Sequence, residues 1–189
     1  MIVATKLMSL EDYLNYDDGT DDIYELVNGE LVLMPPESYQ NQQISIFLLV
    51  YFSRLGISPK LLVNQVAISV TGGRATARIP DLTVLSEDLA MQLSETNLAV
   101  ILPHMPPPTL VVEVVSPKQD KRDYRYKRSE YAARQIPEYW IVDPILNKVT
   151  VLELVEGLYE EQVYTGEQSI SSPQFSELSL TAQQILIGL

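Results

Sequence analysis

The chain has 189 residues, a formal net charge of −12 at pH 7 and a hydrophobic share of 46%. That length suits a single domain, expected over residues 1–189, with a substantial core, and the apolar share excludes a disordered or fibrous class. With no cysteine, disulfides and thiolate metal sites are excluded, and the acidic balance argues against non-specific coating of nucleic acid.

The opening, MIVATKLMSLEDYLNYDD, lacks a charged-then-apolar signal pattern. No apolar run approaches the roughly 20 residues needed to span a bilayer, so the expected location is cytoplasmic with no membrane partner. Ser9 is a candidate N-cap for a short helix carrying Leu10, Tyr13 and Leu14. In IYELVNGELVLM, the Asn28-Gly29 pair predicts a hairpin between two apolar-rich arms. Residues 38–55 read as a heavily buried helix ended by Gly56.

KLLVNQVAISV reads as one strand ending at Gly72-Gly73, and ARIPDLTVLS as another, with Pro80 near its start or at an edge. Residues 86–108 hold a short helix and a stiff PHMPPP loop. TLVVEVVS is the central strand, KRDYRYKRSEYAARQ a helix and EYWIVD the next strand. A hairpin turned near Glu156-Gly157 and a short amphipathic helix complete the chain. The expected class is α/β (α+β mixed), a mixed central sheet flanked by helices with a hairpin at each end.

The central strand poses an energetic problem. Its apolar run reads as buried on both faces, yet it contains Glu113, and an isolated buried carboxylate needs a partner, a metal or a raised pKa. Alternation puts Val111, Glu113 and Val115 on one face and Leu110, Val112 and Val114 on the other. If the strand carrying Asp81 is its neighbour, Asp81 and Glu113 converge, and their hard oxygens suit Mg²⁺ or Mn²⁺. On pattern alone a second reading stands beside this one, in which Glu113 pairs with an arginine of the next helix.

In that helix, 100° per residue sets Tyr124, Lys127, Arg128, Tyr131 and Ala132 on one stripe, with Arg122, Tyr126, Ser129 and Ala133 opposite. Lys127 therefore falls on the inward, aromatic side. There it either orients a water beside the carboxylates or snorkels past the tyrosines. Lys118, Lys121, Arg122 and Arg125 form a local basic lip that can meet phosphate despite the acidic body.

Pro80-Asp81, then Glu113-Val114-Val115-Ser116-Pro117, then DYRYKRSEYAARQIPEYWIVDP resemble the bacterial endonuclease-like family called Uma. This is a domain of unknown function assigned to the PD-(D/E)xK restriction-endonuclease-like superfamily. YELVNGELVLMPP resembles the opening signature of that family, and the likeness covers about residues 8–185. The resemblance implies a restriction-endonuclease-like core and a phosphodiester-cleaving site on nucleic acid, with DNA as the expected partner. In it Asp81 and Glu113 hold Mg²⁺ (or Mn²⁺), and the backbone carbonyl of Val114 is a third ligand.

Val115 stands where the (D/E)xK pattern has its lysine, so the resemblance implies a migrated lysine, first Lys127 and second Lys121. Glu25 matches a recurrent acidic position of the family, implied as a catalytic residue that completes the metal shell or binds the metal through water; on pattern alone it reads equally as an exposed hairpin glutamate. Asn41 aligns with a place where the family often has histidine, and Gln65 is a further polar candidate. The lone His104, Trp140 and Ser116 read as non-catalytic, since one histidine makes neither a metal cluster nor a serine triad.

Two rival readings accompany this one. In the first, an inactive nuclease fold binds nucleic acid or protein. In the second, the terminal hairpin pairs across an edge as a homodimer, and Asp81 and Glu113 stay apart.

Overall fold

The computed structural model describes residues 7–70, 76–96, 98–117 and 122–188, with the side chains of 122 and 123 outside the description. The short helix α1 (Leu10–Leu14) starts where expected, because Ser9 and Asp12 close a reciprocal capping box. Strands β1 (Tyr24–Val27) and β2 (Glu30–Leu33) form the first hairpin. Its turn needs positive φ at Asn28 (52°) and Gly29 (85°), and a Cβ on Gly29 would lie 2.9 Å from the Cβ of Leu7. Helix α2 (Tyr39–Arg54) is capped by the Ser38 hydroxyl, which accepts the N–H of Asn41.

The middle of the chain departs from the sequence reading. KLLVNQVAISV, read as one strand, is a 3-10 turn and β3 (Leu62–Val63), then β4 (Ala67–Val70) after a break at Gln65, whose φ is 55°. ARIPDLTVLS likewise divides into β5 (Thr76–Arg78) and β6 (Leu82–Val84), parted at Ile79-Pro80-Asp81. Proline has no N–H for a ladder, so pairing stops there and the chain crosses from one sheet to the other. The Gly72-Gly73 turn lies outside the described residues.

Beyond these come α3 (Glu87–Thr96), β7 (Val100–Ile101), β8 (Leu110–Val114), a π-helical segment (Arg122–Lys127) leading into α4 (Arg128–Ala133), and β9 (Glu138–Asp143). The chain closes with the hairpin β10 (Lys148–Val155) and β11 (Leu158–Thr165), then α5 (Ala182–Ile187). The strands divide between two mixed sheets, β2-β1-β5-β4-β7 and β11-β10-β9-β8-β6-β3. This is the mixed α/β class expected, with its strands shared between two sheets rather than gathered in one.

β8 lies inside the larger sheet, antiparallel to β6 and parallel to β9, and all five of its residues are buried. Its two faces serve different cores. Leu110, Val112 and Val114 pack with Ile44, Leu48 and Phe52 of α2 and with Trp140, while Val111 pairs with Tyr131, Tyr139 and Ile141 on the other side. Each fully buried side chain of this kind contributes about 1.5–3 kcal/mol. The β8–β9 pair is parallel, so its connection must cross over, and the segment 122–133 does so. No helix among the described residues is long and apolar enough to cross a membrane.

Candidate active site

The strand alternation that raised the question of Glu113 also fixes where it points. Leu82 pairs with Val112 and Thr83 with Val111, so the register carries Asp81 opposite Glu113 at the point where β6 begins. Asp81 is half-buried, and its Oδ2 accepts the Val114 N–H at 2.5 Å. Burial is the main reason its carboxyl is held well above the usual carboxylate range. A hydrogen bond with Glu37 and the negative charges of Glu113 and Glu37 add to that, and the Val114 N–H opposes it.

Glu113 is 4% exposed, and both of its oxygens meet the crossover helix. Lys127 Nζ lies 2.6 Å from Oε2, and the Tyr131 hydroxyl donates to Oε1 at 2.6 Å. Lys127 and Tyr131 are four apart, so helical periodicity brings both to one carboxylate. Of the stripe as read, Lys127, Tyr131 and Ala132 are buried while Tyr124 and Arg128 are half-buried, and opposite them Tyr126, Ser129 and Ala133 are exposed. Lys127 closes the π-helical segment, a wider turn found disproportionately at functional sites. Burial and the charge of Glu113 raise the Tyr131 phenol well above its ordinary value, so it stays a hydrogen-bond donor.

Glu25 on β1 is fully buried and also reaches the amine. Its Oε1 lies 3.6 Å from Lys127 Nζ and accepts the Ile79 N–H at 3.2 Å, and its Oε2 accepts from Arg78 Nη1 at 3.1 Å. Arg78 in turn grips Glu130 with a two-pronged contact, Nε at 2.7 Å and Nη2 at 2.8 Å. Burial works against the Arg78 charge, but the Glu130 hydrogen bonds and the Glu25 charge outweigh it and push its pKa up.

Asn41 is buried at the start of α2, where its Nδ2 donates to the Val114 carbonyl at 3.3 Å and to Ser116 Oγ at 3.0 Å. The position aligned with the family histidine thus faces the main chain beside Glu113. Val115 is 1% exposed within the core shared with Val111 and Tyr131, which leaves no room there for a solvated lysine head. Gln65 and Asp81 both line a cleft of about 340 Å³, together with Glu37, Asp21 and Asp22. That wall is acidic, and no lysine or arginine lines it among the described residues.

Arg125 is exposed on the far side of the helix from Lys127. Lys118, Lys121 and the side chain of Arg122 lie outside the described residues. His104 is exposed and Trp140 is core. The dimerisation-module reading expected Asp81 and Glu113 not to converge, whereas the β6–β8 register sets them opposite one another. No group of three or more histidine, aspartate or glutamate side chains among the described residues stands ready-made as a metal centre.

The sequence reading missed Arg78, Glu130 and Glu37 and gave Tyr131 no role. One signal was present for Arg78. An arginine inside the buried run TARIPDL raises the same question as a glutamate inside valines.

A family model described as "Putative restriction endonuclease" (Uma2) matches residues 10–183. No protein of the curated set matches. Among solved structures, the chain is similar to one titled as a putative nuclease belonging to DUF820 from Anabaena variabilis ATCC 29413. The TM-score is 0.76 at 16% identity, over 96% of this chain and 98% of that one. That likeness concerns the fold. The family match spans nearly the whole chain, and the protein belongs to the Uma2 restriction-endonuclease-like family.

Proposed function

We propose that this protein is a metal-dependent nuclease that hydrolyses phosphodiester bonds of DNA, with Asp81 and Glu113 as the acidic pair and Lys127 as the migrated lysine. The observation that carries this reading is the convergence of three residues from separate elements. Asp81 stands opposite Glu113, and the Lys127 amine lies 2.6 Å from the Glu113 carboxylate.

The donor chemistry fits a hard divalent cation. Asp81 and Glu113 supply carboxylate oxygens, and the Val114 carbonyl has a lone pair left beside its bond from Asn41. Magnesium ordinarily keeps several waters and is held by one or two carboxylates plus substrate phosphate, so a large protein cage is not required. Burial chiefly, with the charges of Glu113 and Glu37 adding to it, raises the Asp81 carboxyl, and a bound cation would offset both. When bound, Mg²⁺ or Mn²⁺ would lower the pKa of water and offset charge on the phosphate.

The chain's own groups do the rest. Lys127 holds a positive charge at the lip of Glu113, where it can orient the attacking water or stabilise the developing phosphorane charge. Tyr131 fixes the rotamer of Glu113, and Glu25 also reaches the amine. Arg125, with Lys118, Lys121 and Arg122, would meet the DNA backbone, because the cleft beside Asp81 is too acidic to attract phosphate unaided.

Plasmid nicking in Mg²⁺ or Mn²⁺ tests the reading. Wild type is expected to cleave, and Asp81→Ala and Lys127→Ala are expected to be inactive. Cleavage that persists unchanged in Asp81→Ala would point to a contaminant. The binding-module alternative draws on the acidic cleft and on Val115, and it expects DNA retention with no metal-dependent cleavage.

A further inference from the structure

We infer that Arg78 is a positioning residue for the Lys127 amine, acting through Glu25 and Glu130. This deepens the proposed function and rests on its reading of Lys127.

A lysine side chain has four rotatable carbons and a strongly hydrated head, so burying it in one rotamer needs restraints on both the head and the stem. Glu113 restrains the head. Glu25 Oε1 is a second carboxylate oxygen 3.6 Å from the amine, and that carboxylate is held by Arg78 Nη1 and the Ile79 N–H. The helix beneath Lys127 is restrained by the same guanidinium. Glu130 follows Lys127 by one turn, and both its oxygens take the fork of Arg78.

One planar group thus fixes the counter-charge of the amine and the helical turn that carries it. Arg78 is itself 1% exposed and stands three residues before Asp81, on the segment that crosses between the sheets. The metal-ligand strand, the hairpin strand β1 and the crossover helix are therefore joined at Arg78. A lysine there could not reproduce the fork, because its ammonium is a point donor without the planar geometry.

The test reads the position of the amine directly and needs no turnover. Acylation of lysines by a water-soluble ester is followed by mass spectrometry in the metal-free protein, with exposed Lys60 as internal reference. Lys127 is expected to be protected in wild type. In Arg78→Gln and in the milder Glu130→Gln, its labelling should rise on the order of tenfold, as for local opening that loses ~1.4 kcal/mol.

Both variants should also lower kcat for plasmid nicking with little change in KM. Glu138→Gln, a buried change elsewhere in the larger sheet, should leave Lys127 protected and separates positioning from general loosening. If Arg78→Gln does not fold, Glu130→Gln decides. Unchanged Lys127 labelling in the folded variants overturns the inference. The expected labelling in a protein that never cleaves DNA would instead uphold the positioning role and refute the nuclease reading.

Discussion

Asp81 and Glu113 face one another at the first unpaired step of the antiparallel β6–β8 ladder, and Asp81 accepts the N–H of the residue that follows Glu113. Strand geometry sets the Glu113 carboxylate, and Asp81 is held at the step just before β6 by its bond from the Val114 N–H, an arrangement that suits the proposed ligand pair.

Replacing Lys127 by methionine keeps the stem and removes the amine. Glu113 and Glu25 then repel each other without that counter-charge. Breaking a buried pair in this way costs about 3 kcal/mol, or roughly 10 °C in Tm, on top of a cleavage loss of about 100-fold or more. Thermal melts and plasmid nicking check both effects. Unchanged cleavage would remove Lys127 from the mechanism.

Asp81→Asn has the opposite effect on stability. The folded carboxyl is held above its unfolded value, so the folded state binds that proton more tightly. In the window from about pH 4 up to the folded pKa, metal-free stability therefore falls as pH rises, and the contribution is fully unfavourable above it. The asparagine removes this dependence. In EDTA the variant should melt higher than wild type at neutral pH, with a gap that widens on titration upward from the acid side. A variant that melts lower throughout would count against the raised carboxyl.

Tyr131→Phe deletes the donor to Glu113 Oε1 and leaves the ring packing against Tyr139. The expected cost is about 1–2 kcal/mol in stability and roughly tenfold in cleavage, since Glu113 can then rotate. Chemical denaturation and initial rates measure the two. Full activity would show that Lys127 alone orients the carboxylate.

Val115→Lys restores the lysine of the (D/E)xK pattern on the face of Glu113, but at a fully packed position. Val115 is buried in a core that the crossover helix covers. An unpaired ammonium there should cost several kcal/mol, on the order of 3 or more, and should not raise cleavage. Urea unfolding checks this, and a stable, more active variant would overturn the account of why the lysine moved.

Arg125→Glu changes an exposed helix residue, so the unfolding free energy should stay within about 0.5 kcal/mol of wild type. DNA affinity should weaken, and the slope of log affinity against log salt should become shallower by roughly 1 if the arginine neutralises one phosphate. An unaltered salt slope would take the basic lip off this face.

Much of the site was legible because it rests on the two periodicities that a sequence displays openly. The period of two along β8 put Glu113 apart from Val112 and Val114, and the helical period put Lys127 inward with Tyr131 even across a π-helical segment. The Asn28-Gly29 turn and the Ser9 cap were local signals of the same kind. The sheet switching was not legible. Pro80 was read as near the start of a strand or at an edge, and it marks where β5 leaves one sheet and β6 joins the other. Arg78, Glu25 and Glu130 meet only because of that crossing, across separations that no local pattern encodes. Val115 was informative in the other direction, since its burial leaves no room for a solvated lysine head and so supports the proposed role of Lys127.

Manganese titration of the metal-free protein by calorimetry tests the central claim most directly. The account predicts saturable binding in wild type, its loss in Asp81→Asn, and a folded, cooperatively melting variant in the same buffer. Equal Mn²⁺ affinity in wild type and Asp81→Asn would contradict it, because the Asp81–Glu113 pair would then not be the metal site.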